Sequence, residues 1–267
     1  TAIAAILAGT LNVGMIPDAN PSRLVRDSQP LVSYLEQQTG AKIQLTVPTN
    51  YAAVVEALVA GKLDLAYLGG FTYVQARKRA GVIPLVQRTI DADFHSLFIT
   101  QPSSGIETLQ DLKGKTFAFG DVNSTSGRLM PTYFLHANGL PPLSTFKSFI
   151  FSGGHDATAL AVANGKVDAG ALDETWYRKL LDKGIITEKQ VRVFWTTPGF
   201  PDYVWVAAKN LPPQTAAKLK DAYLRLDPAQ PDDKVLLDLL RADKFVTVED
   251  KKYDRLRDAA YKEGLLR

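Results

Sequence analysis

Apolar residues recur along this chain in two alternating rhythms. Short runs such as Leu11-Asn-Val-Gly-Met-Ile-Pro17 and Leu63 to Leu68 are too brief for helices and predict buried strands. Between them lie stretches with one apolar face. Ser22 to Thr39 places Leu24, Leu31, Val32 and Leu35 on a helical stripe that Gly40 stops. Ala41 to Val47 alternates as a strand, Tyr51 to Ala60 is a helix ended by Gly61, and Gly69-Gly70 opens a helix through Arg79. Val82 to Gln87 and Phe94 to Thr100 add two strands. This alternation of strand and helix predicts an α/β fold, with a mostly parallel sheet covered by helices.

Gln101-Pro-Ser-Ser-Gly105 interrupts the pattern, and the same rhythm then restarts. Leu109 to Leu112 is a helical turn, and Thr116 to Phe119 a strand. Arg128 to Asn138, Ala157 to Ala163 and Asp173 to Lys183 are helices, interleaved with strands at Ser148 to Phe151, Val167 to Leu172 and Val191 to Thr196. A second polar break, Pro198 to Tyr203, leads into strand Val204 to Ala207. Helical segments follow around Thr215–Leu226, Asp232–Leu240 and Asp250–Glu263. Two breaks bracketing a complete α/β unit imply two lobes, residues 1–100 plus 204–267 and residues 101–203, with hinges near 100–103 and 198–205. Ligands in open α/β sheets bind at the carboxyl ends of strands, which here means a cleft between the lobes that closes by hinge motion. Val59-Ala-Gly-Lys-Leu-Asp and Val162-Ala-Asn-Gly-Lys-Val-Asp repeat one grammar, a helix end followed by an Asp-bearing strand, once in each lobe.

Composition narrows the function classes. The chain has 267 residues, 46% hydrophobic and 22% charged, which fits a soluble globular protein with material for two lobes. Its net charge of +3 is slight and no stretch concentrates Lys or Arg, so a nucleic-acid partner is not expected. There is no Cys, and the three His residues, His95, His136 and His155, lack metal-ligand spacing; neither a metal nor a cofactor is expected. No apolar run is long enough to cross a membrane. The apolar segment Thr1 to Thr10 suits either the trailing part of a secretory signal or a helix packed on the body.

The candidate chemistry centres on Phe117-Ala-Phe-Gly-Asp-Val-Asn-Ser-Thr-Ser-Gly127, where an apolar strand runs into a polar turn that opens a helix. Ser124, Thr125 and Ser126 sit where a helix leaves its first N–H groups without partners. Hydroxyls, N–H groups and the positive end of the helix dipole together favour an oxyanion. The same residues suit an ordinary N-cap, but three hydroxyls followed by Gly exceed what a cap needs. Other strand ends and helix starts converge on the inferred cleft: Tyr51, Tyr67, Ser152-Gly-Gly-His155, Leu172-Asp-Glu-Thr-Trp176 and Asp202-Tyr203.

Several segments carry a family resemblance: Gly14-Met-Ile-Pro17, Asn50-Tyr-Ala-Ala-Val-Val-Glu-Ala-Leu58, Gly61-Lys-Leu-Asp-Leu-Ala66, Asp111-Leu-Lys-Gly-Lys-Thr-Phe-Ala-Phe119, Ser124-Thr-Ser-Gly127 and Gly153-Gly-His-Asp-Ala157. Together they resemble the periplasmic substrate-binding proteins of phosphonate and phosphite ABC transporters, in order, over most of residues 11 to 207. The resemblance implies a two-lobed type II binding protein, each lobe a mixed, mostly parallel sheet flanked by helices. It would be a periplasmic or exported monomer whose signal peptide is absent or removed, serving a membrane permease. It also implies that Ser124, Thr125, Ser126 and His155 bind the oxygens of a small phosphorus oxyanion, with Tyr51 and Asp202 carried over and Tyr203 beside them. Asp202 then acts as an acceptor for a ligand proton or ammonium, although a turn residue after Pro201 reads the same way.

The aromatic residues rank the ligands. Phosphite presents a P–H and methylphosphonate a methyl, and either apolar corner suits an aromatic wall from Tyr51, Tyr67, Phe71, Tyr203 or Trp176. An aminoalkyl phosphonate needs carboxylates, for which Asp173 and Glu174 are available. Phosphite ranks first, methylphosphonate second and aminoethylphosphonate third. A hydrolase reading would recruit Ser124 or Ser126, His155 and Asp173 or Asp202, but no Gly-x-Ser-x-Gly elbow surrounds either Ser, and no catalysis is expected.

Overall fold

The computed structural model describes residues 9–266; the expectation for Thr1 to Thr10 falls almost wholly outside them. The chain forms two compact units. The first comprises the chain through Pro17, Pro21–Ala92 and Tyr203–Asp254, and the second comprises Asp18–Asn20, Asp93–Asp202 and the chain from Arg255.

The first unit is built on a six-stranded sheet of β1 (Thr10–Met15), β2 (Lys42–Thr46), β3 (Leu65–Leu68), β4 (Ile83–Arg88), β10 (Val204–Ala207) and β11 (Phe245–Thr247). Its order is β11-β4-β10-β3-β1-β2. Strands β2, β1 and β3 are parallel, whereas β10 enters antiparallel between β3 and β4. All four residues of β10 are buried, as expected for a central strand covered on both faces. The single helix expected over Ser22 to Thr39 is two, α1 (Pro21–Asp27) and α2 (Gln29–Thr39). Pro30 has no N–H to give to the preceding turn, and the helix breaks at Ser28.

The second unit holds a five-stranded sheet, ordered β7 (Ser148–Phe151), β6 (Thr116–Phe119), β8 (Ala169–Asp173), β5 (Ser96–Thr100) and β9 (Arg192–Thr196). Neighbouring strand residues face opposite sides. Phe98, Phe117, Phe119 and Ala171 join one core with Leu135 and Phe146, while Ile99, Ala118 and Leu172 join the other with Val162 and Leu180. Helices α5 (Met130–Ala137), α7 (His155–Ala163) and α8 (Glu174–Asp182) supply much of that cover.

Both sheets are mixed, as expected, but parallel pairing runs only through β2-β1-β3 and β7-β6-β8; the remaining pairings are antiparallel. The division of the chain also differs from the sequence reading. Strand β5 pairs with β8 and β9, so residues 93–100 belong to the second unit, and the crossing expected near 100–103 lies at Ala92/Asp93. The later crossing, Asp202/Tyr203, falls inside the expected hinge range. Helix α11 (Asp254–Lys262) returns to the second unit, where Glu263 just beyond it meets His136 Nδ1 at 2.6 Å. The two segments flanking the crossings are tied together by Phe94 N to Phe200 O, 2.8 Å, and Phe200 N to Phe94 O, 2.9 Å.

Candidate ligand-binding site

In the second unit, β6 delivers the chain to Gly120, and Asp121 then sets the turn by accepting from Asn123 N at 2.7 Å and, through its carbonyl, from Ser124 N at 2.9 Å. Ser124 is an N-cap, its Oγ accepting from Gly127 N at 2.9 Å. The following turn, Thr125–Leu129, is a π-turn that begins with Leu129 N to Ser124 O, and α5 starts only at Met130 rather than at Arg128. Bonding to the fifth preceding carbonyl widens the mouth of the helix, and of the first-turn N–H groups Gly127 N is taken by the Ser124 side chain. Ser124, Thr125 and Ser126 are each at most 3% exposed. Ser96 on β5 donates to Ser126 O at 2.7 Å and fixes the turn from the sheet side. Gly127 is required by close approach, because a Cβ there would stand 2.7 Å from Ser124 Oγ and 3.1 Å from Gly120 Cα.

His155 opens α7 behind the N-cap Gly154 and is 1% exposed. Its Nδ1 receives the backbone N–H of Asp173 at 3.2 Å. An amide can only donate, so Nδ1 is the acceptor and the ring proton sits on Nε2, which makes the other edge of the imidazole a donor. Its own N–H is held by Asp18 O at 2.9 Å. Asp173 caps α8: its Oδ1 accepts from Thr175 N, Thr175 Oγ1 and Trp176 N at 2.6, 2.6 and 3.1 Å. One carboxylate oxygen expected to serve a ligand ammonium is thus engaged by its own helix. Asp202 is 1% exposed and ends the second unit at the crossing. The structure therefore groups Ser124, Thr125, Ser126, His155, Asp173 and Asp202 within one unit.

Tyr51, Tyr67 and Tyr203 belong to the first unit. Tyr51 is the first residue of α3 (Tyr51–Val59), behind Asn50, whose side chain accepts from Ala53 N at 2.9 Å. Tyr67 lies in β3, and its ring stacks on Tyr203 at 5.0 Å and 8°. Trp205 packs against Tyr67 at 5.1 Å.

Three charged residues that the sequence reading did not single out hold this stack. Arg88 makes a buried two-pronged bond to Asp91, Nε–Oδ2 2.7 Å and Nη2–Oδ1 2.9 Å. Asp91 Oδ1 also accepts Tyr203 N at 3.1 Å, and the Arg88 guanidinium lies 4.8 Å from the Tyr203 ring centre. Arg241 Nη2 donates to Tyr67 Oη at 3.0 Å. The only sequence signal for the pair was its spacing of three residues. Among the described residues there is no group of three or more His, Cys, Asp or Glu able to hold a metal ion.

The family described as "ABC transporter, phosphonate, periplasmic substrate-binding protein" matches residues 13–253. A probable ABC transporter phosphite binding protein, PhnD1 of Prochlorococcus marinus (strain MIT 9301), is 35% identical over 270 residues, 96% of this chain and 91% of that protein. The phosphate-import protein PhnD of Mycolicibacterium smegmatis is 34% identical over 227 residues, 80% of this chain and 71% of that protein. The structure of PhnD1 from P. marinus in complex with methylphosphonate matches with a TM-score of 0.91 and 34% identity, covering 96% of this chain and 99% of that one. The two-unit α/β architecture is that of type II periplasmic binding proteins, as the sequence indicated. The chain belongs to the family of periplasmic substrate-binding proteins of phosphonate ABC transporters.

Proposed function

We propose that this chain is the substrate-binding component of an ABC importer and captures a small reduced-phosphorus oxyanion, phosphite before methylphosphonate and aminoethylphosphonate. The observation that carries the reading is the widened turn at Ser124–Gly127, three buried hydroxyl residues at a helix start, in the same unit as a His whose Nε2 is a donor. Such donors suit P–O oxygens, because a charge-assisted hydrogen bond is about twice as strong as a neutral one. Tyr51, Tyr67 and Tyr203 of the first unit complete the contacts to the same ligand, with the Tyr67–Tyr203 pair facing its P–H or methyl corner and Asp202 taking a ligand proton. The crossings at Ala92/Asp93 and Asp202/Tyr203 serve as the hinge. The protein works as a monomer in the periplasm, delivering to a membrane permease.

Relatives named for phosphite and for phosphate leave the fourth substituent on phosphorus as the open choice, and the aromatic pair favours a substituent that is not an oxygen. Aminoethylphosphonate ranks last, since Asp173 Oδ1 caps α8. No turnover is expected of the chain, and the hydrolase reading that recruits His155 as a base is disfavoured because its acceptor nitrogen receives the Asp173 amide. Calorimetric titration with phosphite, methylphosphonate, aminoethylphosphonate, phosphate and sulfate tests the reading. Binding of the first two above phosphate and sulfate is expected. Phosphate held as tightly as phosphite would remove the apolar corner.

A further inference from the structure

Helix after helix in this chain ends in the same closing turn. The second residue past the last helical one donates to the carbonyl three back, and its successor donates to the carbonyl five back. Gly61, Gly139, Gly165, Gly184 and Gly264 all do this, with φ between 69° and 73°. That left-handed conformation is the reason glycine dominates at such positions. Helix α10 (Pro231–Leu239) closes identically, with Arg241 N to Asp238 O at 3.1 Å and Ala242 N to Leu237 O at 2.9 Å, yet the residue at the turn is Arg. Arg241, at φ 56°, has the one positive φ recorded for a residue other than glycine among the described residues. A non-glycine residue there costs free energy that glycine would not, and such outliers concentrate where a side chain has work to do.

The side chain has a defined use. Its Nη2 donates to Tyr67 Oη at 3.0 Å, and its guanidinium carbon lies 5.8 Å from the centre of the Tyr203 ring. The turn that carries it is fixed from behind. Arg88 Nη1 donates to the carbonyls of Leu240 and Arg241 at 3.3 and 3.2 Å, and Arg88 is locked by Asp91, which also holds Tyr203 N. One buried ion pair thus sets both Tyr203 and the turn that delivers Arg241 to Tyr67. We propose that Arg241 is a positioning residue for anion recognition, kept at a glycine position so that its guanidinium orients the Tyr67 hydroxyl and adds positive charge to the Tyr67–Tyr203 pair. A phenol oxygen that accepts from a guanidinium turns its own proton away from that donor, and the bond polarises the O–H into a better donor for an oxyanion. The inference rests on the oxyanion reading above.

Glycine is the informative substitution, because it relieves the backbone while removing the guanidinium. Arg241→Gly, Arg241→Lys, Tyr67→Phe and the Gly/Phe double variant are melted without ligand and titrated with phosphite. Arg241→Gly is expected to melt at or above the wild-type temperature and to lose affinity by about tenfold, the scale of one hydrogen bond to a charged group. Arg241→Lys, which keeps the charge, should recover part of that loss. The double variant should bind no worse than the weaker single variant, because both remove one coupled contact. Phosphite bound by Arg241→Gly as tightly as by wild type would overturn the proposal, as would losses in the two single variants that simply add. A lowered melting temperature with affinity lost in proportion in both Arg241 variants would also overturn it, marking Arg241 as structural. A wild-type chain that binds none of phosphite, methylphosphonate, phosphate and sulfate would instead overturn the functional reading, which separates the two failures.

Discussion

The residues proposed to bind ligand in the second unit are short side chains at helix starts, held by backbone: Ser124 capping its own turn, Ser126 fixed through its carbonyl by Ser96, and His155 fixed by the Asp173 amide. In the first unit they are stacked rings held by charge: Tyr203 pinned by the Arg88–Asp91 pair and Tyr67 by Arg241. The first arrangement offers many donors in a small volume, which suits the oxygens shared by every phosphorus oxyanion. The second offers an apolar face with cations at its back, which suits whatever distinguishes one oxyanion from another. Most of the shared affinity is thereby assigned to the second unit and selection to the first, where the Tyr67 hydroxyl oriented by Arg241 adds one oxygen contact.

The largest effect should come from the support of the rings. Asp91→Ala strands a guanidinium that is 2% exposed, which costs about 3–5 kcal/mol, so the midpoint of chemical unfolding should drop sharply. Replacing Arg88 and Asp91 together by Met and Leu should restore most of that stability while loosening Tyr203; a double variant as unstable as Asp91→Ala would mean that the pair does more than satisfy itself. Ser126→Ala and His155→Ala come next. Each should weaken binding of phosphite and phosphate alike by well over tenfold, since a hydrogen bond to a charged group contributes about 1.5–3 kcal/mol. Wild-type affinity in calorimetry for both would remove them from the site. Gly127→Ala pushes a methyl against Ser124 Oγ and Gly120 Cα, and should reduce affinity by less than Ser126→Ala or His155→Ala, with the melting temperature falling too. The smallest effect on binding is expected at His136, whose side chain is 43% exposed in its pair with Glu263. His136→Ala takes this partner from Glu263, whose side chain is 7% exposed, and should cost about 1–3 kcal/mol of stability while leaving binding untouched; a changed affinity would break the separation of the site from the rest of the second unit.

How much of this was legible in the sequence follows from what each feature depends on. The β6–turn–α5 stretch could be read because its signals are local: an apolar run, three hydroxyl residues, then Gly127. Its π-turn could not, because choosing the fifth over the fourth preceding carbonyl depends on the contact between Gly127 and Gly120. Strand β5 was recognised as a strand but assigned to the wrong lobe, since its partners β8 and β9 lie about 75 and 95 residues further on and pairing choice leaves no local mark. The Arg88–Asp91 pair was hidden for a different reason. Charged residues read as surface, and only their burial shows that they brace the tyrosines. Arg241 was invisible because a helix end is sought by its glycine, and here the glycine is replaced.

The division of labour is tested most directly by the ratio of phosphite to phosphate affinity, measured by calorimetry for wild type, Ser126→Ala and Tyr203→Leu. Ser126→Ala should weaken both ligands and leave the ratio unchanged. Tyr203→Leu should move the ratio toward one by up to about tenfold, the scale of an aromatic contact of about 0.5–1.5 kcal/mol. A ratio that shifts in Ser126→Ala and holds in Tyr203→Leu would contradict the assignment of selection to the tyrosine pair.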